Sequence, residues 1–215
     1  MSSKHSIPHY KFIYFPVRGR GEFIRYLFAL AEVPYEEEII SFEEWPLKKS
    51  NTPFGTLPLL EIDHGQHVLA QSLAIGRYLA KRFGLYGRDS IDQAKVDMYV
   101  DGCVDLYPKF APYFEARIKG DQVAMERNYN EFKEKQLTAF LDRYSAFLNS
   151  NSSGWFVGDR VTLADIYIGE LLDRIDRIFD PGLLSHYPDL KNFVDRLHAL
   201  PGIAKRISER PSYTL

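Results

Sequence analysis

The chain of 215 residues is 45% hydrophobic and 26% charged, and its formal net charge is -2. This composition is typical of a folded protein with one large or two small domains, and it excludes a disordered chain. The slightly acidic balance lacks the basic surplus of nucleic-acid-binding proteins, so no nucleic-acid partner is predicted. The single cysteine, Cys103, excludes an intramolecular disulfide framework, so the fold needs no oxidising compartment.

Strands and helices are predicted to alternate in the first third of the chain. Aromatic and β-branched side chains at 11–15 predict a strand. Apolar residues then recur at helical spacing, at Ile24, Leu27, Phe28 and Ala31. The other predicted elements are strands at about 36–40, 57–63 and 68–69, a hairpin turn at 63–66 and a helix at about 72–82. This order indicates an α/β domain built on a small mixed sheet.

From about residue 90 onward the sequence predicts only helices. One helix is expected to contain Val96, Tyr99, Val100, Cys103, Val104 and Tyr107 and to end near Pro108. Further helices are expected at about 121–149, 162–179, 187–199 and 201–209. The sequence therefore predicts an α/β domain at 1–84, a linker at 85–90 and an all-helical domain at 91–215.

Several kinds of chemistry lack the residues they require. The six histidines form no metal-ligand spacing, so no metal site is predicted. The Gly-x-Ser-x-Gly motif of serine hydrolases does not occur. A thiol enzyme needs its cysteine at the start of the first helix, where Pro16-Val17-Arg18-Gly19 stands instead, and Cys103 is predicted to lie in the core. Any reactive thiol must therefore arrive with the substrate.

Two short segments leave a structural and a functional interpretation open. Ser72 either caps the following helix or, together with Gln71 and the helix N–H groups, holds a ligand carboxylate. Asp97, Asp101 and Asp105 lie on one stripe of a helix, which is either a solvated face or a site for a cation or an amine.

Three further segments carry weaker signals. Arg18-Gly19-Arg20-Gly21 is a weak match to phosphate-binding and RNA-binding motifs, although such a strand-to-helix loop suits an anion. Thr162 and Asp165 have the spacing of a capping box and are expected to be structural. The isomer of the Leu57–Pro58 bond cannot be deduced from the sequence.

In chain order, these segments resemble the cytosolic glutathione transferase family. The resemblance is to a sigma-like class that includes hematopoietic-type prostaglandin D synthases and nematode enzymes, and it runs from Tyr10 to about Tyr213. The matching segments are 10–15, 18–22, 53–58, 71–75 and 162–165. The resemblance implies a thioredoxin-like N-terminal domain followed by an all-α domain, which agrees with the organisation predicted above.

The same resemblance implies roles for residues of the α/β domain. Tyr14 corresponds to the catalytic tyrosine that hydrogen-bonds the glutathione sulfur, and Arg20 to an arginine near the thiolate. The other glutathione-binding residues that it implies are Trp45 and Lys49 for the glycine carboxylate, Thr56, Leu57 and a cis Pro58 for the cysteinyl unit, and Gln71 and Ser72 for the γ-glutamyl carboxylate. Thr56 stands where some sigma-like enzymes carry lysine. Glutathione is the cosubstrate, and no other cofactor is expected.

The resemblance also assigns residues to the helical domain. Asp105 corresponds to an acidic residue that reaches the γ-glutamyl amine from the neighbouring subunit, which implies a homodimer. The electrophile pocket is expected to be lined by Val17, Tyr107 and Phe110. The Ala111-Pro112 pair lies near the position where prostaglandin synthases of this class carry an aromatic residue.

Three functions are consistent with these residues. The first is detoxification, in which glutathione is conjugated to small hydrophobic electrophiles. The second is glutathione-dependent isomerisation of prostaglandin H2, and the third is a non-catalytic, crystallin-like or ligand-storage role. Retention of Tyr14, Arg20, Trp45, Lys49 and Gln71-Ser72 argues against the third.

The expected location is the cytoplasm. No segment approaches the roughly 18 consecutive apolar residues of a membrane helix, and the N-terminus shows no signal-peptide pattern. The alternative is secretion after removal of a leader, because Asn151-Ser152-Ser153 fits the acceptor sequence for N-glycosylation.

Overall fold

The computed structural model describes residues 8–211. Residues 1–7 of the predicted first domain and residues 212–215 of the predicted second domain lie outside this range. Its contacts divide the described chain into two compact units. The first contains residues 8–86 and 196–211, and the second contains residues 87–195. The last part of the chain therefore groups with the N-terminal unit, whereas the sequence placed everything after residue 90 in the helical domain.

The first unit contains the mixed sheet that the sequence predicts. Within residues 8–211 its strands are Tyr10–Tyr14 (β1), Glu36–Ile39 (β2), Leu59–Ile62 (β3) and His67–Ala70 (β4). The spatial order is β2-β1-β3-β4. Strand β1 runs parallel to β2 and antiparallel to β3, and β3 is antiparallel to β4. Central β1 is thus fully paired, and it carries the predicted catalytic tyrosine at its C-terminal end.

Within the described residues of the first unit, four helices accompany this sheet. They are Glu22–Ala31 (α1), Trp45–Lys48 (α2, continued by a 3-10 turn at Lys49–Asn51), Ser72–Arg82 (α3) and, near the C-terminus, Pro201–Glu209 (α10). Helix α10 packs on α1 so closely that a Cβ atom on Gly202 would lie 2.1 Å from the carbonyl oxygen of Ala29. Only glycine allows this approach, and the packing explains why α10 belongs to the first unit.

A buried charge cluster also ties α10 to α1. Glu22, whose side chain is fully buried, contacts Arg25 at 2.9 Å, Arg206 at 3.1 Å and Arg210 at 3.5 Å. Burial alone would raise the pKa of Glu22, but the guanidinium groups of Arg206 and Arg25 bring that pKa below its ordinary value. Glu22 is therefore ionised at neutral pH. It holds Arg206 and Arg210, which lie 184 and 188 positions later in the chain.

The second unit is helical, as predicted. Its helices are Ser90–Val104 (α4), Tyr107–Ile118 (α5), Gln122–Phe132 (α6), Thr138–Asn149 (α7), Leu163–Arg174 (α8) and Pro188–His198 (α9), the last of which crosses the boundary at residue 196. A π-helical turn at Lys133–Leu137 joins α6 to α7, and a second at Ile175–Phe179 extends α8. A 3-10 turn follows at Leu183–His186.

One predicted helix boundary is wrong. The first helix of this unit ends at Val104 and not near Pro108, because Pro108 lies in the first turn of α5. Proline fits a first helical turn, where its missing N–H is not needed. Helix α5 itself was not predicted, since it also contains Pro112 in its interior.

Two structural predictions for this unit are confirmed. Cys103 is fully buried, and burial raises the pKa of its thiol to about 12, so it is a core residue and not a nucleophile. Asp165 accepts hydrogen bonds from the backbone N–H and the hydroxyl of Thr162, each at 2.8 Å, and completes the capping box of α8. Burial raises the pKa of Asp165 to about 6, although these bonds favour its ionised form.

The glycosylation sequon lies in a hydrogen-bonded loop. The side-chain amide of Asn151 donates to the carbonyl oxygens of Trp155 and Gly158, at 2.8 Å each. A glycan on this nitrogen would replace at least one of these bonds. Separately, none of the helices within residues 8–211 is long and apolar enough to cross a membrane.

Candidate active site

Tyr14 is the last residue of β1, and its side chain is almost completely buried. Its hydroxyl oxygen accepts a hydrogen bond of 2.8 Å from the backbone N–H of Arg20. Because the oxygen accepts this bond, the proton of the hydroxyl points towards a different acceptor. The geometry thus suits a tyrosine that donates a hydrogen bond to an anion.

Two glycines make room for the Tyr14 ring. A Cβ atom on Gly21 would lie 2.3 Å from Cδ1 of Tyr14, and one on Gly19 would lie 2.7 Å from its hydroxyl oxygen. Gly19 also has a φ of +40°, which disfavours other residues. The Arg18–Gly21 segment, a weak anion-loop match in the sequence, therefore wraps around the tyrosine. The feature of the sequence that could have indicated this packing is the presence of Gly19 and Gly21 shortly after a strand that ends in Tyr14.

The two arginines beside Tyr14 differ in their surroundings. The side chain of Arg20 is exposed, and its backbone makes the contact with Tyr14. Arg25, which the sequence did not single out, is buried with its guanidinium carbon 5.6 Å from the centre of the Tyr14 ring. Arg25 also donates to the carbonyl oxygen of Val17 at 2.8 Å. A buried cation at this distance from the ring places positive charge near the candidate catalytic residue.

A small hydrophobic cluster brings the other predicted glutathione-binding segments together. The cluster consists of Ile13, Ile40 and Leu59, and Trp45, Leu57 and Ala70 pack against it. Trp45 is half-buried and its ring lies edge-on to that of Phe15, with the centroids 5.4 Å apart. Because Ile13 precedes Tyr14 and Ala70 precedes Gln71, the cluster draws residues from four segments into one region of the first unit.

The loop that enters β3 has the features that the resemblance implies. The Leu57–Pro58 bond is cis. Thr56 is exposed, Leu57 is half-buried and Pro58 is buried. The exposed side chain of Lys49 reaches this loop, because its Cε would lie 3.4 Å from a Cβ atom on Gly55. Lys49 and Thr56 therefore lie near one another at the surface.

The structure does not support the interpretation of Ser72 as the cap of α3. Gln71, and not Ser72, occupies the N-cap position of α3, and within the described residues no side chain caps this helix. Gln71 adopts φ 70° and ψ 113°, a conformation that costs a non-glycine residue about 1–3 kcal/mol. A helix start without a cap presents N–H donors and the positive end of the helix dipole. The arrangement favours a ligand carboxylate at Ser72.

The predicted residues of the helical unit lie at the junction of α4 and α5. Asp105 is exposed and lines a cavity of about 480 Å³. No group of three metal-binding side chains that includes the Asp97–Asp105 stripe is found in residues 8–211. Tyr107 and Phe110 line a separate apolar cavity of about 30 Å³. Phe110 is almost fully buried among aromatic rings, so it is a wall of this cavity and not an open surface.

Comparison with known proteins adds a decisive observation. Residues 10–81 match the family model described as glutathione S-transferase, N-terminal domain, and residues 105–210 match the corresponding C-terminal domain. The hematopoietic prostaglandin D synthase of Mus musculus is 36% identical over 209 residues, which cover 97% of this chain and 100% of that protein. The chain belongs to the glutathione S-transferase family.

Solved transferase structures agree with this assignment. The crystal structure of the glutathione S-transferase from Ascaris lumbricoides has a TM-score of 0.89 and 36% identity, covering 97% of this chain and 100% of the other. A structure of the monomeric transferase Na-GST-3 from Necator americanus has a TM-score of 0.86 and 34% identity, covering 96% and 100%. The thioredoxin-like and all-helical domains of this transferase are therefore those of its family.

In this transferase, the residues predicted to bind glutathione within one subunit all belong to the first unit. Of the predicted electrophile pocket, Val17 belongs to the first unit and is buried, whereas Tyr107 and Phe110 belong to the second. One further residue at the pocket was missed: Arg174 donates to the hydroxyl of Tyr107 at 3.0 Å. The sequence signal that could have identified Arg174 was its spacing of four residues from Glu170 within a largely apolar helix.

Proposed function

We propose that this protein conjugates the thiolate of reduced glutathione to hydrophobic electrophiles, with Tyr14 as the residue that stabilises the thiolate. The observation that supports the proposal is the buried hydroxyl of Tyr14, whose oxygen accepts the Arg20 N–H at 2.8 Å. That bond fixes the oxygen and orients the hydroxyl proton towards another acceptor. A thiolate is such an acceptor.

The free energy of a hydrogen bond from Tyr14 is large enough to lower the pKa of the glutathione thiol. A free thiol has a pKa near 8.5, so only a few per cent of it is ionised at neutral pH. Lowering that pKa by about two units requires roughly 2.7 kcal/mol of preference for the thiolate. A hydrogen bond to a charged group contributes about 1.5–3 kcal/mol. The Tyr14 hydroxyl, assisted by the positive charge of Arg20, is sufficient.

Glutathione is proposed to bind through both of its ends. The uncapped start of α3 at Gln71–Ser72 supports binding of the γ-glutamyl carboxylate. Trp45 and Lys49 are assigned to the glycine carboxylate, with the backbone of Leu57 beside cis Pro58 pairing the cysteinyl unit. Glutathione acts as cosubstrate, and the proposal includes no other cofactor.

We also propose a homodimer in which Asp105 reaches the γ-glutamyl amine bound to the partner subunit. The exposure of Asp105 supports this role, because its carboxylate is accessible to a group outside its own chain. The hookworm relative described as monomeric makes the oligomeric state a question for experiment. Light scattering of the purified protein answers it, and a monomer that binds glutathione with full affinity would exclude this role of Asp105.

The cytoplasm is the proposed location. The hydrogen bonds of the Asn151 amide support it, because they occupy the nitrogen that a secreted protein would glycosylate.

Isomerisation of prostaglandin H2 is the second candidate function. It is favoured by the 36% identity to a hematopoietic prostaglandin D synthase over nearly the whole chain. The same thiolate would serve both reactions, since an isomerase regenerates it and a transferase consumes it.

Binding to immobilised glutathione, followed by a conjugation assay with chlorodinitrobenzene, tests the main proposal. We expect retention on the resin and conjugation that exceeds the uncatalysed rate. Turnover of the prostaglandin endoperoxide without conjugation would instead support the isomerase. Binding without either reaction would support a storage role and contradict the proposed chemistry.

A further inference from the structure

A buried ion pair holds the hydroxyl of Tyr107. Nη2 of Arg174 donates to that hydroxyl at 3.0 Å and lies 3.4 Å from the carboxylate of Glu170. The side chains of Arg174 and Glu170 are only 6% and 3% exposed. The hydroxyl of Tyr167, also on α8, hydrogen-bonds that of Tyr107. Helix α8 thus holds the first residue of α5 through two hydrogen bonds.

The Arg174 guanidinium lies closer to the Tyr107 hydroxyl than to the Glu170 carboxylate. A strong arginine–carboxylate pair is bidentate, with nitrogen–oxygen distances of about 2.7–2.9 Å. Here the shortest ion-pair distance is longer than the hydrogen bond to the tyrosine. Nε of Arg174 has no hydrogen-bond partner among the described residues. Since burying such a pair brings little net stability, positioning of the tyrosine is a better explanation for it.

The charge of the pair determines which ligands suit the cavity. Burial alone would lower the pKa of Arg174, but the carboxylate of Glu170 raises that pKa above its ordinary value, so the guanidinium stays charged. Glu170 balances this charge, and the pair is neutral as a whole. An anionic ligand group would add an uncompensated charge to a buried site, which is costly. The cavity therefore suits an uncharged group.

The cavity is small enough for the Tyr107 ring to control it. Its volume of about 30 Å³ holds roughly two water molecules, because one needs about 10–15 Å³. Apart from Arg174, the walls beside Tyr107 are apolar or aromatic, and they include Leu106, Phe110, Phe114, Phe132, Leu171 and Phe179. A shift of one ring by an ångström would change the accessible volume by a large fraction.

We propose that Arg174 is a positioning residue that, by holding Tyr107, sets the size selectivity of the transferase for uncharged electrophiles. The proposal rests on the proposed function and on the prediction from the family resemblance that Tyr107 lines the electrophile pocket. Arg174 lines the cavity and bonds the tyrosine hydroxyl, and its proposed effect is exerted through the position of the tyrosine ring. Loss of its hydrogen bond leaves the Tyr107 hydroxyl with Tyr167 alone and loosens the ring. Small electrophiles then lose a complementary wall, and larger ones gain space.

Steady-state kinetics of a double-mutant cycle test this proposal. The variants are Tyr107→Phe, the charge-neutral pair Glu170→Gln with Arg174→Met, and all three changes together. Replacing both members of the ion pair avoids a buried, unpaired carboxylate. Lys191→Met is the matched control, because it removes a cation from an exposed ion pair with Asp195 in the same unit. The substrates are chlorodinitrobenzene and trans-stilbene oxide, an uncharged epoxide that is larger because it carries two phenyl rings.

We expect the neutral pair to raise KM for chlorodinitrobenzene by about three- to tenfold, the value of one hydrogen bond. Tyr107→Phe loses the bonds to both Arg174 and Tyr167, so it should raise this KM at least as much. The KM for glutathione should not change, and the ratio of the two kcat/KM values should shift towards trans-stilbene oxide. All three changes together should raise KM no further than Tyr107→Phe alone. Arg174→Lys, which keeps a cation and a donor, should recover part of the wild-type selectivity.

Additive effects on KM, or a lower melting temperature with unchanged selectivity, would show that Arg174 is only structural. The control should match the wild type in every kinetic constant, and a control that also shifted selectivity would overturn the proposal. Failure of the wild type to conjugate either electrophile would instead contradict the proposed function. The two kinds of failure are therefore distinguishable.

Discussion

The backbone N–H of Arg20 lies 2.8 Å from the hydroxyl oxygen of Tyr14, and this bond joins the loop after β1 to the candidate catalytic residue. The contact comes from the main chain, so the position of the Tyr14 oxygen does not depend on the arginine side chain. In the proposed function the two residues therefore make separate contributions to the thiolate, a hydrogen bond from the Tyr14 hydroxyl and a positive charge from the Arg20 side chain.

Tyr14→Phe should lower kcat for conjugation by about ten- to a few hundredfold, the equivalent of 1.5–3 kcal/mol. Affinity for glutathione should hardly change, because the binding groups at both ends of the tripeptide remain. The pKa of the bound thiol, followed by ultraviolet absorbance of the thiolate, should rise towards that of the free thiol. Tyr10→Phe, a second buried tyrosine on β1, is the control. Equal activity of the Tyr14 and Tyr10 variants would exclude Tyr14 from the mechanism.

Gly21→Ala should disable the site without removing any catalytic group. The new Cβ atom would lie 2.3 Å from the Tyr14 ring, so the ring or the loop must move. We expect kcat to fall by about tenfold or more, since misplacing a catalytic group by an ångström can cost a factor of about 100. Gly65→Ala, in the β3–β4 turn at φ +83° with no close neighbour, controls for loss of a glycine. It should lower the melting temperature and leave kcat intact.

Gln71→Gly should stabilise the protein and weaken glutathione binding. Glycine adopts φ 70° readily, which relieves about 1–3 kcal/mol of backbone strain, while the side-chain donors are lost. Urea unfolding and glutathione titration calorimetry measure the two effects. Glu32→Gly, at φ 52° on the exposed end of α1, should stabilise without affecting affinity. A Gln71 variant with lower stability and normal affinity would contradict the role given to this conformation.

Glu22 should make stability depend on pH in the acidic range. Its folded pKa lies below the ordinary value of 4.5, so its contribution is complete above about pH 5 and is lost as pH falls through the folded pKa. Glu22→Gln should cost about 3–5 kcal/mol of unfolding free energy at pH 7, because buried arginines lose their partner. The variant should also show a shallower loss of stability on acidification.

Urea unfolding at a series of pH values measures both effects. Glu209→Gln removes one end of a 4.0 Å, exposed contact with Lys205 and should cost at most about 1 kcal/mol. Equal acid sensitivity of the Glu22 variant and the wild type would show that other groups control the pH dependence.

Gly202→Ala should loosen α10 from α1. The added methyl group would lie 2.1 Å from the Ala29 carbonyl oxygen, a backbone atom that cannot rotate away. We expect a loss of about 1–3 kcal/mol, the usual cost of overpacking, and faster hydrogen exchange in both helices. Ala204→Ser, at an exposed position of the same helix, should be nearly neutral. An unchanged melting temperature in the Gly202 variant would refute the close packing described above.

The sequence predicts elements with undisturbed periodicity and misses those interrupted by proline. Helix α3 was predicted at its observed limits of Ser72 and Arg82. Helix α5 was missed because Pro108 and Pro112 disfavour a helix locally, and tertiary packing outweighs that preference. The π-helical turns could not be predicted either, since a single inserted residue hardly changes the periodicity of a long helix.

At the site, the identity of the main residues was predictable from the sequence. The backbone conformations and neighbouring residues that position them were not. Tyr14, Gln71 and Ser72 could be identified because they belong to short motifs with fixed spacing. The positive φ of Gln71 and the contact of Gly21 with the Tyr14 ring depend on backbone geometry that the sequence does not encode locally. Arg174 was missed for a related reason, because its partner Tyr107 lies 67 positions earlier.

The tie between Glu22 and Arg206 also has a consequence for biosynthesis. A ribosome that has just added Glu22 must add 184 further residues before Arg206 exists, which takes about 10–40 seconds at roughly 5–20 residues per second. During that interval the Glu22 carboxylate of the nascent α1 lacks the guanidinium groups of Arg206 and Arg210. The glutathione-binding unit, although it begins first, is therefore completed after the helical unit has been synthesised.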